Sequence, residues 1–226
     1  MPTSLVLSGG GACADPWHPF AQTSARLADL LWSLGHRVEV TDFVADRVAD
    51  LSGFDLIVVN AAAGPGATAA GQRGARQGLR AALDRGLAVL AVHTGVCTLL
   101  RLPEWEAVTG AAWVPGRSGH PKLGPAHVQV HPGRHPIVAG LADFDLVDER
   151  YTGLNLAPGL VPLASHRHDG RQYPLVWARE LGRSRVVADA LGHDVQSYES
   201  PAHRQLLSRA VRWLTDGTAD ASSTTA

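Results

Sequence analysis

Three histidines and a glutamate stand where apolar runs of the chain end. His18 lies in SGGGACADPWHPF, His93 in LAVHTG, Glu149 in FDLVDERYTG and His193 in VVADALGHD. Imidazole exchanges protons near neutral pH and is a common metal ligand. A carboxylate beside an imidazole orients the ring and stabilises its charged form, so Glu149 and His193 read as a proton-transfer pair. His93 occupies a strand-to-helix corner. A side chain there projects into a cleft, and the N–H groups that follow can hold an anion or oxyanion. The nearby thiol, Cys97, comes one helical turn later among Val96, Leu99 and Leu100 and reads as a buried small hydrophobe. Each polar residue also has a structural reading. Asp15 or His18 could cap the next helix. His93 could be a hydrogen-bonded core histidine. Glu149 could pair with an arginine and His193 could cap a turn.

These residues need a scaffold that brings four loops together. Apolar runs at Thr3–Leu7, His36–Thr41, Leu56–Asn60 and Leu87–Val92 read as strands, alternating with helical stretches at Phe20–Leu34 and Gln72–Arg85. That alternation predicts a parallel sheet covered on both faces. In such sheets ligands bind beyond the carboxyl ends of the strands, where all four candidates sit. The glycines after the first strand follow neither the phosphate-loop nor the GxGxxG pattern. The second half predicts shorter strands at His127–His131, Phe144–Val147, Val161–Ser165, Leu175–Ala178 and Arg185–Ala190, and a closing amphipathic helix at Pro201–Leu214. The Gly-, Pro- and His-rich stretch 112–133 is expected to cover the strand ends. Residues 1–217 read as one domain and 218–226 as a disordered tail.

Bulk composition narrows the partners. The 226 residues are 45% hydrophobic, enough for a large core, and 20 Lys+Arg against 21 Asp+Glu leave a formal net charge of -1. No nucleic-acid or anionic-membrane partner is expected from that balance. Cys13 and Cys97 form no CxxC or disulfide framework. With no signal-like segment and no apolar run of spanning length, a cytoplasmic location is expected.

The segments LVLSGGGACADPWHPF, FDLIVVN, LAVLAVHTG, GRHPIVAGLADFDLVDERY, YPLVWARELGRSRVVADALGHD and HRQLLSRAVRWLTDG occur in an order that resembles the trehalose-utilisation, or ThuA-like, proteins. The resemblance runs from about Leu5 to Gly217. Its most specific parts are HPI…GL…F…DE.Y and W…G..RV…LGHD. It implies a doubly wound, flavodoxin-like α/β fold with a mostly parallel sheet, similar to the class I glutamine amidotransferases. In those enzymes the fourth-strand corner carries a catalytic cysteine in Gly-x-Cys-x-Gly. Here Ala91-Val92-His93-Thr94-Gly95 occupies it, so glutaminase chemistry is not expected.

The resemblance implies carbohydrate metabolism. The leading expectation is an enzyme acting on a trehalose-like disaccharide or its keto-glycoside by general acid–base chemistry. Glu149 and His193 would transfer protons, and His93 and His18 would bind or polarise the substrate. Trp17, Tyr151 and Trp177 would offer faces to sugar rings. The partner is a small carbohydrate, and a homo-oligomer stays open. Two alternatives remain: a non-catalytic sugar-binding or regulatory domain, and a metal-dependent hydrolase. The latter would have His18, His93 and His193 as ligands and Glu149 as base or fourth ligand. No motif calls for a cofactor, and a divalent metal stays open.

Overall fold

A computed structural model of the chain describes residues 1–63 and 69–216. The expected tail, 218–226, and the boundary at 217 lie outside the described residues. In chain order the elements are β1 (Thr3–Ser8), α1 (Phe20–Ser33), β2 (Arg37–Thr41), α2 (Val44–Ala49), β3 (Leu56–Asn60), α3 (Ala69–Arg85), β4 (Ala88–Val92), α4 (Thr94–Cys97), α5 (Trp105–Thr109) and β5 (Ala111–Ala112). There follow β6 (Gly124–Val130), β7 (Phe144–Asp148), β8 (Asn155–Leu156), β9 (Pro162–His168), β10 (Arg171–Leu181), β11 (Ser184–Asp189) and α6 (Pro201–Thr215).

The central sheet has nine strands in the order β2-β1-β3-β4-β11-β10-β9-β6-β7. The first five are mutually parallel. β3 and β4 are buried at every position, as strands covered on both faces must be. Helices flank the sheet in two groups: α1 meets α6, and α2 packs on α3. This is the doubly wound α/β fold expected. β2 lies on one side of β1 and β3 on the other, so the chain changes direction across β1 and leaves a crevice at its carboxyl end.

From β11 onward the neighbours are antiparallel. The β9–β10 hairpin turns on Asp169-Gly170, both at positive φ (47° and 73°), the geometry a two-residue hairpin demands. A flat sheet would hold β7 about 19 Å from β11, four spacings of roughly 4.8 Å. Yet Asp148, the last residue of β7, accepts hydrogen bonds from Gly192 and His193 just past β11, at 2.7 and 3.1 Å. The antiparallel half therefore rolls over the carboxyl ends of the parallel half. Residues 112–133 divide. Trp113, Pro115 and His120 reach the cleft as the expected cover, whereas 124–130 form β6 within the sheet. The short helices α2 and α5 had no counterpart in the sequence reading.

Candidate active site

The loop after β1 carries His18. Asp15 shapes it: its Oδ1 accepts the backbone N–H groups of Trp17 and His18, and its carboxylate lies 2.7–2.8 Å from His18 Nδ1. Neither residue caps α1, whose N-cap is Pro19 without a side-chain bond. The acceptor at Nδ1 puts the proton there and leaves Nε2 of His18 bare.

β4 delivers His93 on a sharp corner at φ 48° and ψ -113°. A non-glycine residue at positive φ stores strain and persists where its surroundings over-determine it. Here they do. The His93 N–H bonds to the Asp189 carbonyl at 2.8 Å. Two residues on, any Cβ at Gly95 would sit 2.1 Å from the Val59 carbonyl oxygen, so only glycine lets the corner seat against β3. His93 is 1% exposed, and its Nδ1 lies 3.1 Å from the carbonyl of Ala190. A carbonyl only accepts, so Nδ1 holds a proton, and in the neutral ring Nε2 is again bare. Tyr151 packs over the imidazole, ring centroids 4.7 Å apart.

β7 and β11 supply the other two groups through one buried carboxylate. Asp148 accepts the backbone N–H groups of Glu149, Gly192 and His193 and the hydroxyl of Ser197. It thereby fixes Glu149 and His193 at once. Gly192 reaches it at φ 106°, a backbone region other residues resist. Behind it His203 bridges Ser197 to Asp189, with both ring nitrogens occupied and no exposure. Sequence reasoning singled out Glu149 but not its neighbour. Alternation along β7 turns Asp148 into the protein and leaves Glu149 at the strand end.

The four side chains converge. His93 Nε2 lies 3.1 Å from His18 Nε2, 3.3 Å from His193 Nδ1 and 3.5 Å from Glu149 Oε2. Glu149 Oε2 is also 3.3 Å from His193 Nδ1, and its Oε1 is 3.2 Å from His120 Nδ1. The expected Glu149–His193 contact is thus formed, as one edge of a four-residue cluster. Burial raises the Glu149 carboxyl, but hydrogen bonds and charge from the histidines prevail and hold it well below the usual range. Burial opposes charge on His193, yet Glu149 outweighs it and the pKa rises. His18 is lowered, by burial first and the His93 charge second.

Above the cluster opens a cleft of about 830 Å³, whose lining includes Trp17, His18, Glu149, Tyr151, Trp113 and His120. Trp17 is 73% exposed and free to meet a ligand. Tyr151 lines the cleft but is nearly buried, with little surface left for a ligand. Trp177 corrects the expectation: it is fully buried and its Nε1 donates to the Thr109 carbonyl, so it is core and no sugar platform. Cys97 also departs from expectation. It is half-buried in the cleft wall at the end of a single helical turn, and burial pushes its thiol up to about 12. His120 and Trp113, absent from the sequence-level set, lie in the stretch with least periodicity.

Residues 7–214 match the family model described as ThuA, trehalose utilisation. The chain belongs to the ThuA family. In structure it is similar to a ThuA-like protein from Parabacteroides merdae (TM-score 0.79, 18% identity, 96% of this chain and 91% of that one). It is also similar to a ThuA-like protein from Bacteroides uniformis (TM-score 0.72, 16% identity, 94% and 91%). A glutamine amidotransferase from Thermotoga maritima shares the fold more distantly (TM-score 0.59, 10% identity, 96% and 99%). A search of curated proteins finds no match. Among the described residues of this ThuA protein, no helix is long and apolar enough to cross a membrane.

Proposed function

We propose that this ThuA protein is an enzyme of carbohydrate metabolism that acts on a trehalose-like disaccharide in its keto-glycoside form. The observation that carries the reading is the convergence of Glu149 and three imidazoles beneath a cleft that Glu149 and His18 line, with Trp17 and Trp113 in its walls. Exposed indole suits the apolar face of a sugar ring. The keto end of the sugar is seated over this cluster. Glu149 takes the proton from the carbon between the carbonyl and the glycosidic carbon. The electron pair moves into the new C=C bond as the glycosidic C–O bond breaks, and the departing oxygen receives the proton back from Glu149. The step needs no oxidant and consumes no second reactant. The family description, trehalose utilisation, supports the substrate class. A thiol nucleophile has no part, since the corner holds His93.

The test is to incubate the protein with trehalose, sucrose and their 3-keto derivatives and follow the products by NMR. Conversion of a keto form is expected. Glu149→Gln should lower kcat by about 10²–10⁴-fold, the usual contribution of a general acid or base. No conversion of any of these sugars, or undiminished turnover in a folded Glu149→Gln protein, would overturn the proposal.

A further inference from the structure

We infer that His18, His93, His193 and Glu149 form a binding site for one divalent transition-metal ion. The inference rests on the tetrad being the reactive centre and adds to it the group that does the polarising.

Proton positions on the rings come first. Asp15 accepts a hydrogen bond from His18 Nδ1–H and the Ala190 carbonyl accepts one from His93 Nδ1–H, so in the neutral rings both Nε2 atoms present lone pairs. These lone pairs face one another across 3.1 Å, and Glu149 Oε2, also an acceptor, lies 3.5 Å from the same His93 nitrogen. Acceptors gathered at one buried point repel unless a proton or a metal cation sits among them, and a metal cation satisfies all four at once. The second observation is the spacing. A tetrahedral ion with bonds of about 2.0–2.1 Å holds its donors about 3.3 Å apart. The four contacts recorded among the donors are 3.1, 3.3, 3.3 and 3.5 Å, and all four atoms lie within 4.8 Å of one another. The third is the outer support. Metal-bound imidazoles give their other N–H to a carboxylate or backbone carbonyl, which fixes the ring. Asp15 and the Ala190 carbonyl do this for two of the three.

The donor set chooses the ion. Three neutral imidazoles and one carboxylate suit Zn²⁺ and its transition-metal neighbours; Mg²⁺ and Ca²⁺ prefer oxygen. With three positions taken by nitrogen and one by Glu149 Oε2, a sugar oxygen from the cleft would enter as a fifth ligand, an expansion such ions allow. Glu149 Oε1, turned toward His120, keeps its capacity to accept a proton.

The full-length protein, stripped with EDTA and dialysed, is titrated calorimetrically with ZnCl₂ and separately with MgCl₂. A single saturable Zn²⁺ per chain and no Mg²⁺ binding are expected. Co²⁺ should give the visible d–d absorption of a low-coordinate nitrogen site. Asp15→Asn keeps an oxygen for the loop's backbone N–H groups but loses a full carboxylate at His18, so it should weaken Zn²⁺ binding about 10–100-fold. His18→Gln, on a loop outside the core, should weaken it more. His127→Gln, at an exposed His–Asp pair elsewhere, should leave it unchanged. No saturable binding of Zn²⁺ or Co²⁺, or binding removed by His127→Gln and retained by His18→Gln, would overturn the inference. Sugar turnover that persists in stripped, ion-free protein would overturn it too, while sparing the proposed function. One bound Zn²⁺ beside failure to convert any sugar would uphold the site and sink that function.

Discussion

Gly95→Ala tests whether the corner that presents His93 is seated as tightly as the geometry requires. The added Cβ would lie 2.1 Å from the Val59 carbonyl oxygen and 2.9 Å from its carbon, against an ordinary contact of 3.4 Å or more. Something must move by more than 1 Å. β3 cannot yield easily, because Val59 is buried between β1 and β4 in the middle of the sheet. The shift falls on α4 and on the strained His93. Overpacking of this kind costs about 1–3 kcal/mol, and backbone as the obstacle puts the cost at the upper end. For a chain of this size 1 kcal/mol moves Tm by about 2–4 °C, so a loss of about 3 kcal/mol lowers Tm by about 6–12 °C. Urea unfolding and a thermal scan of wild type and variant give the number. A Gly95→Ala protein within about 1 kcal/mol of wild type would refute the close seating of the corner.

Two glycines of α3 should behave oppositely. Gly74→Ala meets only the Ala49 Cβ at 3.5 Å and should stabilise by about 0.5–1 kcal/mol, whereas Gly78→Ala runs into the Val48 and Ala49 carbonyls at 2.3 and 2.4 Å and should destabilise. Urea midpoints of the two variants check this. Burial opposes charge on His203, but the Asp189 charge and hydrogen bond win and raise its pKa. Its contribution is then fully present below about pH 6.5 and is lost as pH rises through the raised value. His203→Ala should cost about 3–5 kcal/mol at pH 6 by leaving Asp189 unpaired, and less as pH climbs, read from urea midpoints against pH. With its thiol at about 12, Cys97 should be almost wholly un-ionised at pH 7.5 and slow to react with iodoacetamide, and Cys97→Ala should keep sugar turnover within a few-fold. Rapid stoichiometric labelling at Cys97, found by peptide mass spectrometry, would contradict it.

The parallel half was legible because β3 and β4 are nearly continuous apolar runs bounded by turn residues, while β2 alternates apolar and polar residues. Leu56–Asn60 was read to the residue, between Phe54-Asp55 and a run of alanines. β10 was read as Leu175–Ala178 but extends over Arg171–Leu181. Its outer residues are polar, and pairing with β9 and β11 rather than burial makes them strand. Trp177 shows the limit for single residues: an aromatic near a strand end has the same letter whether it faces a sugar or the core. The four site residues were legible because each lies in the turn or loop that follows the carboxyl end of a strand. Asp148 and His203 support the site but carry no signal of their own, since their role exists only once separate loops touch; Asp15 acts within its own loop, three residues from His18, and was read only as a candidate cap. The roll of the antiparallel half, which brings Asp148 to Gly192, depends on contacts 44 residues apart.

That roll divides the molecule by how readily its amides exchange with solvent. β6 joins β9 through only two residue pairs, Gln129↔Ser165 and Val130↔Ala164, while β6 and β7 hold each other through five. The β6–β7 ribbon can therefore come away together, released at β9 and at Asp148, with β1, β3 and β4 still closed. Such partial openings have lower free energy than global unfolding, so ribbon amides should exchange faster than those of the parallel strands. Anything that bridges Glu149 to the histidines adds a tether between ribbon and parallel half. Its binding would slow exchange along β7, out at the sheet's far edge.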